Sequence, residues 1–194
     1  DRHAKVIEAY LTGLERLVAS GGDPSTVASV ASFFVSRWDT AVASTVPVEL
    51  KNELGLAIGR QAYVEYRRFF ATDRWQRLLN EGARPQRLLF ASTGTKDPTA
   101  SDTLYVSGLA APNTVNTMPE DTLLALADHG AIGDALVPDA DAAAVSLARF
   151  AKAGIDVDAV GDELQGNGAR AFVASWGSLV GRIEAKAGAV ASAR

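Results

Sequence analysis

The sequence predicts an α/β protein built from parallel β/α units that form part of a larger (β/α)8 barrel. Short β-branched and aromatic runs alternate with segments of helical periodicity, which is the pattern of parallel β/α folds. Only about three strands can be recognised, whereas a closed barrel needs eight strands and about 250 residues. Three buried parallel strands alone would leave apolar edges on both sides. We therefore expect the 194 residues to be completed by strands from elsewhere.

The first helix and first strand lie between residues 2 and 39. Apolar residues recur every three or four positions in the helix, at Ile7, Tyr10, Leu11, Leu14, Leu17 and Val18. Gly21-Gly22 ends this helix and Asp23-Pro24 turns the chain. The segment VASVASFFVSRWD, from Val27, then has the composition of a strand buried on both faces.

Helical periodicity returns between Pro47 and Leu79, and Gly82 and Pro85 end it. RLLFAST, from Arg87, is the second predicted strand, SDTLYVSGL a short amphipathic segment, and APNTVNTMP a weaker third strand. EDTLLALADHG has acidic residues in its first turn, as the helix dipole favours. Further helices are predicted at 141–153, 157–165 and 168–189. We assign residues 1–138 to the barrel and 139–194 to a C-terminal helical extension that packs on it.

Composition and charge exclude several function classes. The net charge is −4 without a basic run, so nucleic-acid and anionic-membrane binding are not expected. The sequence has no cysteine, and His3 and His129 lack zinc-site spacing, so no metal is expected. No signal peptide or membrane-spanning run occurs, which predicts a cytoplasmic protein. A first residue of Asp1, with a helix beginning at once, suggests a processed or truncated chain.

The ends of the predicted strands indicate an anion site. In β/α folds ligands bind beyond the C-terminal ends of the strands. Ser92, Thr93, Gly94 and Thr95 follow the second strand and offer hydroxyls and a close backbone approach, with Lys96 as the cation. Ser32 and Arg37 occupy the equivalent place on the first strand, and arginine binds phosphate in a bidentate manner. Two adjacent strand ends of this kind predict a phosphate pocket.

Simpler interpretations of the same residues remain open at this point. STGTK is also the composition of an ordinary capped turn, and Arg37 could form a surface ion pair. Phe34 is more typical of a core position, and His129 of a partner for a helix C-terminus. Lys96 as a Schiff-base nucleophile would need desolvation and an acid/base partner. The strand ends offer only Asp39, Glu120 and Asp121 as carboxylates, so they favour binding over chemistry.

Four longer stretches are distinctive: SFFVSRWD, LLFASTGTKDP, DTLYVSGLAAPNTVNTMPE and LARFAKAGIDVDAVGDEL. Together they resemble the C-terminal half of transaldolase, in the longer bacterial type that also occurs fused to phosphoglucose isomerase. The resemblance extends over nearly the whole chain. It implies a (β/α)8 (TIM) barrel with extra C-terminal helices, of which this chain would supply strands 6, 7 and 8.

The resemblance also implies an activity in the non-oxidative pentose phosphate pathway. A dihydroxyacetone unit would pass from sedoheptulose 7-phosphate or fructose 6-phosphate to an aldose phosphate, through a lysine Schiff base and without a cofactor. Ser32 is similar to the serine that contacts substrate hydroxyls, Phe34 to the aromatic beside it, and Arg37 to the phosphate-binding arginine. Ser92 matches a serine at the phosphate, and Lys96 stands near the position of a second arginine.

The family's Schiff-base lysine and acid/base carboxylates belong to earlier strands, which these 194 residues do not include. No catalytic residue is therefore assigned here, and this chain alone is expected to be inactive. Its expected partners are sugar phosphates and the N-terminal half of the same barrel, on the same or another polypeptide. The alternatives are another phosphosugar aldolase of this barrel type and a non-catalytic sugar-phosphate-binding fragment.

Overall fold

The computed structural model describes residues 2–192 of the chain. They divide into two compact units, the first ending at Ile155 and the second beginning at Asp156. The assignment of residues 1–138 and 139–194 to barrel and extension stays a prediction.

The first unit alternates strands with helices. Its strands are β1 (Val30–Phe34), β2 (Arg87–Ala91) and β3 (Val115–Thr117). Its helices are α1 (Arg2–Ala19), α2 (Ser36–Val42), α3 (Leu54–Phe69), α4 (Asp73–Asn80), α5 (Leu104–Gly108), α6 (Glu120–Asp128) and α7 (Ala140–Lys152). Two 3-10 turns, Pro24–Thr26 and Val48–Leu50, lie between them.

The three strands form one parallel sheet in the order β1-β2-β3. Phe34 pairs with Ala91, and Ala91 pairs with Thr117 on its other side. The strand ends that the sequence analysis placed together are therefore adjacent at one edge of the sheet. This arrangement confirms an α/β fold with a parallel sheet.

The two faces of the sheet differ in their surroundings. On one face Leu88 and Phe90 are at most 1% exposed and pack with Tyr63 and Tyr66 of α3 and Tyr105 of α5. Alternate residues of a strand point to opposite faces, so Val30, Ser32 and Phe34 share the other face. There Val30 is 42% exposed and Phe34 39%. The first face carries the core of the unit, and the second leaves apolar side chains uncovered.

A second core cluster joins α1 to α4. The predicted apolar face of α1 is buried, with Ile7, Leu11 and Leu14 no more than 2% exposed, and it packs against Trp75 and Leu78 of α4. Arg74 of α4 lies beside this cluster and binds two glutamates of α1, Glu8 and Glu15, and the hydroxyl of Thr12. The helix predicted over residues 2 to 19 is confirmed.

The single helix predicted from Pro47 to Leu79 is wrong, because the structure contains a 3-10 turn and two helices there. The chain breaks after Phe69, and Thr72 begins α4 as its N-cap by accepting a hydrogen bond from the N–H of Trp75. The first backbone N–H groups of a helix have no acceptor within the helix, and the threonine hydroxyl at the N-cap accepts a hydrogen bond from one of them. Apolar periodicity runs through this junction, so it does not show the break.

Two other predicted bounds also change. The strand predicted from Val27 ends at Phe34, and Ser36 to Val42 form α2, so Arg37 lies in a helix. The two elements predicted at 157–165 and 168–189 are one helix of the second unit, α8 (Val157–Ser192). Gly166 and Gly168 lie within it without ending it, because an interior glycine costs a helix only about 1 kcal/mol.

None of the helices that the structure describes within residues 2–192 is long and apolar enough to cross a membrane.

Candidate functional site

The candidate site lies where β1 and β2 end side by side. Two backbone hydrogen bonds join the chain segments there: the N–H of Val35 donates to the carbonyl of Ala91 at 2.9 Å, and the N–H of Ser36 donates to that of Ser92 at 3.1 Å. The start of α2 is thereby attached to the chain that leaves β2. The first turn of α2, which carries Arg37, therefore lies beside Ser92.

Arg37 stacks on Phe34. The guanidinium carbon of Arg37 lies 4.3 Å from the centre of the Phe34 ring, within the range of a cation–π contact. Among residues 2–192 no carboxylate forms an ion pair with Arg37, so the surface ion pair considered above is wrong. A core position for Phe34 is also wrong, since the ring is 39% exposed. Within the described part of the chain, the donors of this planar guanidinium are therefore available to an anion.

Ser92 follows β2 in an unusual backbone conformation. Its φ is 55°, in the left-handed region that non-glycine residues rarely adopt. The Ser92 hydroxyl lies 2.9 Å from the Ser36 hydroxyl. The residue Ser36 is only 2% exposed. Such strain is held in place only when the surroundings fix it, and it concentrates at functional sites. The Ser36 and Ser92 hydroxyls therefore place polar groups side by side where β1 and β2 end.

The neighbouring residues of the STGTK turn have structural partners instead. The hydroxyl of Thr93, which is fully buried, donates to the side-chain oxygen of Asn116 in β3 at 2.7 Å. The hydroxyl of Thr95 donates to the carbonyl of Ser101 at 2.7 Å. Gly94 is buried, and a Cβ there would lie 3.1 Å from Pro119. The hydroxyls of Thr93 and Thr95 therefore have protein partners, and anion binding by this turn stays a prediction for which Ser92 is the main side-chain candidate.

Lys96 and Ser32 are exposed and stand apart from the contacts just described. No contact joins Lys96 to the other predicted site residues within the part of the chain that the structure describes. The turn beside Lys96 is nevertheless fixed, because Asp97 accepts hydrogen bonds from Thr99 and from Asn52. These bonds, led by those of Thr99, lower the pKa of Asp97 to about 2. Ser32 lies two residues before Phe34, on the same face of β1.

Asp39 is the buried carboxylate of this region. It belongs to α2 and is 6% exposed. One oxygen accepts the N–H of Leu54 at 2.8 Å, and the other accepts the N–H of Gly55 at 3.0 Å and the Tyr105 hydroxyl at 2.8 Å. Burial raises the pKa of Asp39, against the opposing effect of Tyr105 and the two backbone N–H groups. All three donors point at the carboxylate, so it connects α2 to α3 and α5.

A separate cleft lies at the loop between β2 and α5, with a volume of about 470 Å³. Its lining includes Asp97, Asp102 and His129. The imidazole of His129 contacts Asp102 at 3.0 Å and Asp128 at 3.2 Å, and both contacts raise its pKa, Asp102 the more. His129 stands at the C-terminal end of α6, where the sequence analysis expected a helix partner. Among residues 2–192 no cluster of three or more His, Asp or Glu side chains is arranged to hold a metal ion.

Sequence reasoning missed Ser36 and the full role of Asp39. The composition of SFFVSR predicts a strand that includes Ser36, whereas the structure places Ser36 in the first turn of α2. The sequence indicates Asp39 only as a carboxylate near a strand end. Its partners are 15 to 66 residues away in the chain, so no local pattern reveals them.

Comparison with known proteins gives a consistent result. Residues 2–183 match the family described as Transaldolase/Fructose-6-phosphate aldolase. The chain is 47% identical over 200 positions to a protein named Transaldolase from Parafrankia sp., covering 99% of this chain and 54% of that protein. It is 45% identical over 196 positions to the Transaldolase of Frankia alni, and the match covers 97% of this chain and 53% of that protein. It is 48% identical over 189 positions to the Transaldolase of Acidothermus cellulolyticus, and the match covers 94% of this chain and 51% of that protein. The chain therefore spans about half the length of the curated relatives it matches.

Proposed function

The chain belongs to the transaldolase/fructose-6-phosphate aldolase family, and from that membership we propose that it supplies the phosphate-binding side of a transaldolase. The observation that carries the proposal is the 47% identity to a protein named Transaldolase over 99% of the chain. The proposed reaction moves a dihydroxyacetone unit from a ketose phosphate, such as fructose 6-phosphate, to an aldose phosphate. The curated relatives named Transaldolase favour this activity over another phosphosugar aldolase.

Arg37 and Ser92 are the proposed phosphate ligands. A phosphate group binds best where several donors and a positive charge converge. Arg37 lies over Phe34 with its guanidinium unpaired among the described residues, and the Ser92 hydroxyl lies on the neighbouring strand end. Lys96 would add a second positive charge from the same turn. Ser32 would reach the sugar hydroxyls from the face it shares with Phe34.

The remaining strands of the proposed barrel would come from the portion that the relatives have and this chain does not. The uncovered Val30 and Phe34 lie on the face that a closed barrel would enclose. Both outer strands, β1 and β3, have one edge without a partner in the described sheet. These features support a partial barrel whose partner is the other half of the same fold, on the same or another polypeptide.

The proposed chemistry requires a Schiff-base lysine from that other portion. A lysine nucleophile at neutral pH needs a lowered pKa, which burial or a neighbouring cation provides. Lys96 is exposed, which suits a binding role. We therefore propose that this chain alone does not turn over substrate. Borohydride with fructose 6-phosphate is expected to leave the isolated chain without an adduct, and a covalent adduct at Lys96, found by peptide mass spectrometry, would contradict the proposal.

A chimera provides the direct test of function. In it this chain replaces the matched segment of the Parafrankia transaldolase, so that the whole barrel is present. We expect transaldolase activity with fructose 6-phosphate and erythrose 4-phosphate. Arg37→Ala is expected to raise KM for the sugar phosphate more than about tenfold, because charge-assisted hydrogen bonds are the strong ones.

Two outcomes would contradict the proposal. A chimera with native circular dichroism and no activity would reject the function for this chain. Release of free dihydroxyacetone without transfer to an acceptor would favour the aldolase alternative. Arg68→Ala is the matched control, since Arg68 is exposed at the far end of α3, and it is expected to leave KM unchanged.

A further inference from the structure

Asp39 connects the segment that carries Arg37 to two other elements. Its carboxylate accepts two backbone N–H groups at the start of α3 and the hydroxyl of Tyr105 in α5. Both side chains of the Asp39–Tyr105 pair are buried, at 6% and 1% exposure. A hydrogen-bonded carboxylate of this kind fixes position, because breaking any of the bonds leaves a buried polar group without a partner.

The start of α3 depends on Asp39 for its cap. Glu53, the residue that precedes α3, makes no side-chain capping bond. The N–H groups of Leu54 and Gly55 instead donate to Asp39, which stands outside their own helix. A negative charge at this end is also favoured by the helix dipole. A Cβ on Gly55 would lie 2.6 Å from the Asp39 carboxylate, so only glycine permits this close approach.

The helix α2 is too short to hold its own geometry. It has seven residues, and isolated helices of this length are unstable in water. Its start is attached to β2 through Ser36, and Asp39 attaches the following turn to α3 and α5. Arg37 lies between these two attachments, and its guanidinium stacks on Phe34.

From this arrangement we propose that Asp39 is a positioning residue that holds Arg37 in its anion-binding geometry. The role of Arg37 in binding rests on the proposed function, whereas the effect of Asp39 on Arg37 does not. Asp39 does not itself touch the ligand, since three protein donors occupy its oxygens. It acts through the orientation of α2.

The test uses Asp39→Asn in the 194-residue chain, in a double-mutant cycle with Arg37→Ala. Asparagine keeps the size of aspartate but faces one of the backbone N–H groups with an amide donor. We expect it to weaken the binding of fructose 6-phosphate about tenfold, measured by calorimetry. In the Arg37→Ala background the same change is expected to alter affinity less than twofold, because Asp39 then has no binding side chain to position.

A ligand-free measurement accompanies the cycle. The order parameter of the Arg37 Nε–H, measured by NMR, is expected to fall in Asp39→Asn. Arg74, whose Nε–H is bonded to Glu15, is the internal reference and should not change. Tyr105→Phe removes one hydrogen bond to Asp39 and keeps both bonds from the backbone, so it should lower the affinity and the order parameter less than Asp39→Asn does. It also provides the test if Asp39→Asn does not fold.

The outcomes separate the two proposals. If the wild-type chain binds neither fructose 6-phosphate nor inorganic phosphate, phosphate binding by this part of the barrel alone fails, and the Arg37 order parameter alone decides on positioning. An unchanged order parameter in folded Asp39→Asn or Tyr105→Phe would overturn the role of Asp39. Equal losses of affinity with and without Arg37 would also overturn it, because Asp39 would then act on binding by another route.

Discussion

Gly55 is a residue at which one methyl group should be costly. A Cβ would lie 2.6 Å from the Asp39 carboxylate and 2.8 Å from the carbonyl of Val35. Gly55→Ala is therefore expected to lower the free energy of unfolding by about 1–3 kcal/mol, the usual cost of overpacking a buried position. Urea denaturation followed by circular dichroism measures the change.

Gly13 provides the matched control for this substitution. It lies in the interior of α1, and a Cβ there meets nothing within 4 Å. Gly13→Ala should raise the free energy of unfolding by about 0.5–1 kcal/mol, because alanine loses less backbone entropy in a helix. A similar destabilisation by both substitutions would show that the close contact at Gly55 is not the cause.

His129 gives a prediction about pH. Its contacts with Asp102, and less with Asp128, raise the pKa of the imidazole above 6.5. Because the folded pKa is raised, the stabilisation is complete below about pH 6.5 and is lost as the pH rises through the folded value. NMR titration of the imidazole protons should show a raised pKa that Asp102→Asn lowers more than Asp128→Asn. An unshifted pKa in the wild type would show that these exposed contacts do not persist in solution.

Single residues differ in how far the sequence could predict them. Arg37 and Ser92 follow strands directly, so their place at adjacent strand ends follows from the order of elements. Thr93 has the same local signal as Ser92, yet its hydroxyl is bound to Asn116. The Ser92 hydroxyl instead lies beside that of Ser36, and no pattern in STGTK specifies the positive φ of Ser92.

Among the elements, the junction between α3 and α4 depends on Thr72. Its hydroxyl accepts the N–H of Trp75, which is 4% exposed in the core between α1 and α4. Thr72→Ala is expected to lower the free energy of unfolding by about 1 kcal/mol, the typical cost of an N-cap. Thermal unfolding measures this loss. Thr72→Ser, which keeps the hydroxyl, should be nearly neutral, and an equal loss in both would contradict the capping role.

Element types were more predictable than element bounds. The apolar stripe of α1 and the β-branched run of β1 follow directly from the sequence pattern, and both elements are present, although β1 is shorter than predicted. The errors lie at boundaries. Apolar periodicity continued across the break at Thr72, and the break expected between residues 165 and 168, where Gly166 lies, does not occur in α8. Both errors arise because a cap or a glycine changes helix stability by only about 1 kcal/mol. Tertiary packing contributes more than this and determines where a helix ends.

At the scale of the whole molecule, the uncovered sheet face predicts association. Val30 and Phe34 are exposed on a face that a closed barrel would bury, and edge strands readily pair with other chains. Sedimentation velocity on the isolated chain should show association that increases with concentration. Adding the part of the Parafrankia transaldolase outside the match should replace it with a one-to-one complex, and a monodisperse monomer at all concentrations would contradict the partial barrel.

The overall architecture was predictable because parallel β/α order leaves few alternatives. Consecutive β/α units usually place their strands side by side and parallel, and the sheet is parallel in the order β1-β2-β3. The hydrogen bonds of Asp39 were not predictable. Asp39 meets Gly55 and Tyr105 only after α2, α3 and α5 have packed, so this contact exists only in the tertiary structure.

The strained backbone of Ser92 implies a trade-off between stability and function. Glycine adopts a φ of 55° without strain, so Ser92→Gly should relieve the backbone strain, but it also removes a proposed phosphate ligand and the hydroxyl partner of the buried Ser36. Selection for thermal tolerance alone would favour glycine wherever the relieved strain exceeds the lost hydrogen bond, and selection for catalysis by the complete barrel would retain serine. A library of the chimera, screened separately for heat resistance and for sugar-phosphate turnover, would then show opposite enrichment at this codon.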